Sequence, residues 1–211
     1  MKIAIIGAAG KAGSLIMEEA LERGHEVTAV VREASKVKNT NVQVIEKDLF
    51  NLASNDLKPF DAVVNAFNAA PGKEHLHVDA GRVLIQALEN STNTKLVVVG
   101  GAGSLFLDEE KTTRVMDDPN FPAAYFPTAK NMGINLDELQ KAKTVKWTYI
   151  SPSANFDPQG LKTGTYHSGK DHLLTNSQGE SYISYADYAI AVVDEIEKPK
   201  HKNERFTVVS K

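Results

Sequence analysis

Residues 3–13 read IAIIGAAGKAG: four apolar residues, then glycines at 7, 10 and 13 where a first helix should start. A turn needs one flexible residue, not three. Gly7 can take the tight turn off a strand. Gly10 lets backbone amides approach a pyrophosphate with no Cβ between them, and Gly13 lets a helix pack closely on the strand. The helix N-terminus adds free N–H groups and partial positive charge. Set between a strand and a helix, at the head of an α/β pattern, the triplet points to a phosphate-bearing dinucleotide. Ala9, Lys11 and Ala12 belong to the same cofactor-binding turn.

Working outward, β-branched runs alternate with segments of helical spacing. A helix is expected over Gly13–Arg23, closed by Gly24. HEVTAVVR, NVQVIEKDL and DAVVNAF read as the second to fourth strands. A helix over Glu74–Glu89, the strand KLVVVGG, a helix over Ala123–Lys143 and the strand WTYISPS follow. Several of these strands are almost continuously apolar, as in a parallel sheet covered on both faces. The order predicts a Rossmann-type doubly wound α/β fold with helices on both faces, whose strand C-termini form the ligand-binding rim. After Ser153 the pattern breaks. Residues 154–185 are rich in Gly, Ser, Asn and Thr and read as a loop and hairpin, a lid over the rim. YADYAIAVVDEIEK restores a helix, Pro199 stands just past its end, and ERFTVVS is the last strand.

The 211 residues suit one domain, residues 1–211, with no internal repeat or long linker. A net charge of -3 without a large block of one sign argues against a general nucleic-acid binder. The chain has no cysteine, which excludes disulfides, thiolate metal sites and a Cys nucleophile. No apolar run approaches the roughly 20 residues of a membrane span. The N-terminus lacks a signal-peptide pattern, so the cytoplasm is the expected location. Gly-x-Ser-x-Gly and Gly-Lys-Ser/Thr motifs do not occur, which leaves hydrolase and nucleoside-triphosphatase readings without support. His75 and His77 are two apart near a helix start, and His75 and Asp79, four apart, can share a helix face; no clear third ligand joins that pair, so no metal is expected.

An acidic residue at the end of the second strand would bind the ribose 2′-OH of NAD. Arg32 stands there instead, followed by Glu33. A guanidinium can grip the 2′-phosphate of NADP, and Lys36 and Lys11 can add charge. Glu33 can pair with Arg32 or accept from an NAD ribose. The expected cofactor is therefore NADP(H) in preference to NAD(H).

The motifs GAAGKAG, VVR, KDLF, VVVGGAGS, WTYISPS and SYISYADYAIAVVDEIE together resemble the short-chain dehydrogenase/reductase superfamily over most of the chain. More closely, they are similar to its atypical NAD(P)H-binding group, which includes NmrA-like proteins and flavin and biliverdin reductase B. The resemblance implies that Asp48 meets the adenine amino group, with Leu49 beside it. As a strong N-cap residue, Asp48 is equally suited to capping the segment that follows. By the same resemblance Asn65, Ala66 and Phe67 line the adenosine and nicotinamide-ribose channel. Gly100, Ser151, Pro152, Ser153 and Phe156 are then neighbours of the nicotinamide half.

Classical short-chain reductases use a Ser after the fifth strand and a Tyr-x-x-x-Lys on the next helix. Here Ser104 and Lys130 are present, but the residue four before Lys130 is Phe126 and Tyr125 is one step out. One step is a rotation of about 100° on a helix, and Pro127 lies between. Ser104 is expected beside the nicotinamide and Lys130 on its ribose. Tyr125 is either the general acid or a packing tyrosine at the rim. Tyr166 and His167 in the lid can bind substrate, and Asp187 is expected to cap or anchor the last helix.

The leading functional expectation is an NADPH-dependent oxidoreductase that passes hydride to a small carbonyl, quinone or flavin. The alternative is a non-catalytic NADP(H)-binding redox sensor. A sugar-nucleotide epimerase or dehydratase ranks third. The expected partners are a small-molecule substrate or flavin, with no nucleic acid or membrane, in a monomer or dimer.

Overall fold

A computed structural model describes all 211 residues. Eight strands form one sheet. In chain order they are β1 (Lys2–Ile6), β2 (Glu26–Val31), β3 (Gln43–Glu46), β4 (Ala62–Asn65), β5 (Lys95–Val99), β6 (Lys146–Ser151), β8 (Tyr166–Gly169) and β10 (Glu204–Ser210). Their spatial order is β3-β2-β1-β4-β5-β6-β10-β8. Every pairing is parallel except β10 with β8, which is antiparallel. The order reverses between β1 and β4, which pair from Ile3↔Ala62 to Ile6↔Asn65. That reversal is the switch point of a doubly wound sheet, and it opens a crevice beyond the strand C-termini.

Helices cover both faces because successive strand residues point to opposite sides. Ile3 and Ile5 of β1 face a core shared with α1 (Lys11–Glu22) and α5 (Tyr185–Glu197). Ala4 and Ile6 face the other core, with α3 (Leu76–Leu88) and α4 (Phe126–Lys141). Two cores of this kind require strands that are apolar throughout, and the burial of β4 at all four positions shows it. A short helix, α2 (Ser54–Leu57), sits between β3 and β4. No helix is long and apolar enough to cross a membrane.

Three boundaries differ from the sequence expectation. The third strand stops at Glu46 because the Asp48 carboxylate accepts from the Phe50 N–H at 2.9 Å and turns the chain. The helix expected from Ala123 begins at Phe126, with Pro127 in its first turn and Tyr125 as its N-cap. Residues 154–185 do not form a hairpin. β7 (Asn155–Asp157) and β9 (Tyr182–Ser184) pair in parallel beside the main sheet, and β8 extends the sheet edge. A latch sets this path: the buried Asp187 carboxylate accepts from the Thr163 and Gly164 amides and the Thr163 hydroxyl, at 2.7–2.9 Å.

Candidate functional site

The turn after β1 is shaped by contacts that exclude side chains. Gly7 has φ +78°, and a Cβ there would lie 2.7 Å from the Ala66 carbonyl oxygen. A Cβ on Gly13 would lie 2.3 Å from the Gly7 carbonyl oxygen, so α1 can approach the turn only as glycine. The Gly7 N–H donates to Val30 and the Gly10 N–H to Gly7, which locks the loop to β2. Gly10 is the N-cap of α1 and supplies no side-chain cap, and the first turn has no acidic residue. The amides of Lys11, Ala12 and Gly13 therefore keep the orphan donors of a helix start. Ala8 and Ala9 N–H groups also lack an acceptor within the chain. A cluster of unsatisfied amides at a helix N-terminus suits an anion such as a pyrophosphate.

A crevice of about 410 Å³ opens at this turn. Nine of the residues expected to bind cofactor line it: Gly7, Ala9, Gly10, Arg32, Lys36, Asp48, Leu49, Ala66 and Phe67. The topology brings them together, since they follow the C-termini of β1, β2, β3 and β4. The structure adds Phe50, Ala70, Lys73 and Leu76, which sequence reasoning missed. Phe50 closes the KDLF motif but carried no expected role, Leu76 opens α3, and the loop that holds Ala70 and Lys73 has no motif to mark it. A polar hollow of similar size, about 420 Å³, lies at the opposite rim among Asn90, Thr92, Lys143 and Lys146. It has one hydrophobic wall residue and sits at the N-terminal ends of β5 and β6, away from the ligand rim of such sheets.

The charges around the crevice divide into paired and free. Lys36 bonds Glu33 at 2.8 Å, and Lys47 bonds Asp56 at 2.7 Å. The hydrogen bond from Lys36 holds the Glu33 carboxyl below its usual range. Arg32 has no ion-pair or side-chain hydrogen-bond partner in the chain, so its guanidinium is free for an anion. Asp48 uses one carboxylate oxygen as the cap described above and keeps the other for a donor. Asn65, buried at the end of β4, accepts from the Phe67 N–H at 3.2 Å and so shapes the wall from behind.

The residues expected at the reacting end lie outside this crevice. Gly100 packs on Tyr149, where a Cβ would be 2.1 Å from Cε1, and the Gly101 N–H donates to the Tyr149 hydroxyl at 3.1 Å. Burial pushes the Tyr149 phenol up to about 12. Ser104 is buried, and its Oγ and carbonyl oxygen both accept from the Arg205 guanidinium, at 3.1 and 2.9 Å. Arg205 is charge-balanced by Asp171 at 2.8 Å. Because Ser104 Oγ accepts from Arg205, its own proton remains available to donate. Tyr125 is 67% exposed, and Lys130, also exposed, has no charged partner. Ser151 and Pro152 are buried at the end of β6, and the Ser151 hydroxyl has no hydrogen-bond partner. Ser153 Oγ donates to the Val208 carbonyl at 2.8 Å. Phe156 packs on Tyr185 and Tyr188, with ring centroids 3.9 and 4.8 Å away. In the 154–185 segment the Tyr166 hydroxyl donates to Asp194 at 2.8 Å, which burial and that carboxylate make a still weaker acid, while His167 is exposed on β8. His77 is buried, and no three His, Asp or Glu side chains cluster as metal ligands.

A parallel sheet whose order reverses at β1/β4, with uncapped amides and a cavity at that point, defines a Rossmann-like dinucleotide-binding α/β protein. The chain belongs to the NAD(P)H-binding family, whose pattern it matches over residues 7–199. It is 64% identical, over 210 residues, to the uncharacterized protein YwnB of Bacillus subtilis, covering 100% of this chain and 99% of that one. Among solved structures it is similar to a Streptococcus pneumoniae protein provisionally described as an NADH-flavin reductase. The two share 47% identity and a TM-score of 0.96, with 100% of each chain covered. It is also similar to a Bacteroides thetaiotaomicron protein provisionally described as an epimerase. That match has 38% identity and a TM-score of 0.88, covering 99% of this chain and 96% of that one.

Proposed function

We propose that the protein is an NADPH-dependent oxidoreductase acting on a small carbonyl, quinone or flavin. The observation that carries this reading is the free Arg32 guanidinium in a crevice that also holds the uncapped turn of α1. The amides of Ala8, Ala9, Lys11, Ala12 and Gly13 would bind the pyrophosphate and Arg32 the ribose 2′-phosphate. Asp48, Leu49, Ala66 and Phe67 would enclose the adenosine. When bound, the nicotinamide supplies a hydride, and the protein supplies orientation and proton donors. Lys130 would hold the nicotinamide ribose, with Gly100, Ser151, Pro152, Ser153 and Phe156 shaping that half of the site. Ser104, fixed by Arg205, would keep a proton to donate to the acceptor's oxygen or nitrogen on which negative charge develops as hydride arrives, and Tyr125 is the second candidate donor. Residues 154–185 would border the substrate, and the protein would work in the cytoplasm as a monomer or dimer.

The similarity to the streptococcal protein supports a reductase with a flavin among its acceptors. The second reading, a non-catalytic sensor of NADP(H) redox state, draws on the absence of a Tyr four residues before Lys130 and on the exposure of Tyr125. The epimerase reading needs that same Tyr–Lys spacing and ranks last.

The test is to mix the purified protein with NADPH and a panel of flavins, quinones and aldehydes and follow nicotinamide absorbance. Turnover with at least one acceptor is expected, reduced about 10²-fold or more by Ser104→Ala if that hydroxyl is the donor. Tight NADPH binding with no turnover on any acceptor would replace the enzyme reading by the sensor. Turnover unchanged by Ser104→Ala and Lys130→Ala would remove those assignments.

A further inference from the structure

Two aromatic side chains of the crevice wall, Phe50 and Phe67, meet edge to face with centroids 5.8 Å apart. Behind Phe67, on the first turn of α3, the buried His77 ring continues the series at 5.8 Å and 66°. His77 Nε2 accepts from the Ala69 N–H at 3.4 Å. Ala69 lies between Asn68 and Ala70, both of which line the crevice. The His77 carbonyl in turn accepts from Asn135 Nδ2 of α4 at 3.0 Å, and Asn135 fits against Gly81, where a Cβ would collide with it. The loop after β4 is thus fixed through one imidazole to the α3–α4 pair.

We infer that His77 is a positioning residue for cofactor binding: its neutral ring holds the wall formed by residues 67–70 before the dinucleotide enters. This rests on reading the crevice as the dinucleotide site. An imidazole that accepts at Nε2 carries its proton on Nδ1, so the arrangement requires the neutral form. A wall ordered in advance spares the bound complex the entropy of ordering it, so loss of the anchor appears in affinity and not in the chemical step.

Two variants separate the hydrogen bond from the packing. His77→Phe keeps an aromatic ring against Phe67 and removes the acceptor. His77→Gln can place an amide oxygen where Nε2 stands. Kd for NADPH and for ADP-ribose is measured by titration calorimetry, and exchange of the Ala69 amide by NMR. The expected result is a rise of about fivefold in both Kd values for His77→Phe, with Ala69 protection lost and kcat at saturating NADPH unchanged. His77→Gln restores both properties. Wild-type affinity in His77→Phe, or equal losses in the two variants, would overturn the inference. So would an unprotected Ala69 amide in the wild type, a measurement that needs no variant to fold. Failure of wild type to bind either ligand would instead overturn the reading of the crevice, and with it any role for His77 in binding.

Discussion

Lys36 stands on the crevice wall, yet its ammonium is bonded to Glu33, next to the unpaired Arg32. With the Glu33 charge balanced by Lys36, a 2′-phosphate held as proposed would meet the guanidinium with less competing negative charge. Lys36→Met should free Glu33 to repel the phosphate and to accept from a ribose 2′-OH, lowering the NADPH/NADH ratio of kcat/KM. Glu33→Gln should raise it. Both side chains are exposed, so each change is about threefold. Arg32→Asp removes the charge-assisted contact and adds repulsion, and should shift the ratio towards NADH by about thirtyfold or more. A ratio unmoved by Arg32→Asp would end its assignment. That Arg32, Asp48 and Phe67 stand at the crevice follows from the strand ends they occupy, which the sequence pattern marked; what Asp48 and Phe67 would bind came only from the family resemblance. Phe50 and Lys73 were not legible in the sequence, because the path of their segments depends on contacts such as Phe50 with Phe67 and His77 with Ala69, and Leu76 was not because it reaches the crevice only through where α3 begins. The Glu33–Lys36 pairing was not read from the sequence, which offered Arg32 or an NAD ribose as partners of Glu33 and set Lys36 beside the phosphate.

At the scale of the element, the glycine turn divides its work between fold and ligand. The close approach at Gly13 is to backbone atoms of Gly7 and Ala8, which cannot swing aside. Gly13→Ala should therefore push α1 off the turn and cost about 1–3 kcal/mol, read as a lower urea midpoint. Gly10 has an ordinary φ of -79°, and a Cβ there would meet only the Gly7 carbonyl oxygen, at 3.1 Å. Gly10→Ala should cost within about 1 kcal/mol of stability while weakening NADPH binding, because the new methyl group stands beside the uncapped amides. Equal stability losses in the two variants, with unchanged binding in Gly10→Ala, would defeat this division. Helical spacing revealed α1, α3 and α5, and unbroken apolar runs revealed β1 and β5, since each pattern is read locally. Neither pattern revealed the β7–β9 pair. Three-residue strands leave no period, and their pairing is set by Asp187 reaching back to Thr163 and by Tyr182 bonding Asp157 at 3.0 Å.

Across the whole molecule, the C-terminal rim of the sheet carries the open amides and the crevice, while the N-terminal rim, beside its polar hollow, is tied together by buried charge. Glu195, near the end of α5, is 3% exposed and accepts from Lys95 Nζ at 2.6 Å and His201 Nδ1 at 2.8 Å. It also accepts from the Lys200 and His201 amides. One carboxylate thereby joins the starts of β5 and β10 to α5. Burial pushes its carboxyl up, but the bonds from Lys95 and His201 outweigh this and hold it below the usual range. The sign follows from linkage: the unfolded chain binds the proton more tightly, so the stabilisation is complete above about pH 5 and is lost as pH falls through the lowered value. Glu195→Gln leaves the Lys95 ammonium buried without its counter-charge and should cost about 3–5 kcal/mol. For a chain of this length that is about 6–20 °C in Tm. Glu195→Gln with Lys95→Met should recover part of the loss, because the second change removes the orphaned charge. Neither variant should alter the NADPH Kd under conditions where it is folded, since the crevice lies at the other end of the strands. A loss of affinity that tracks the loss of stability would show that the two rims are coupled through the sheet and are not separate in function.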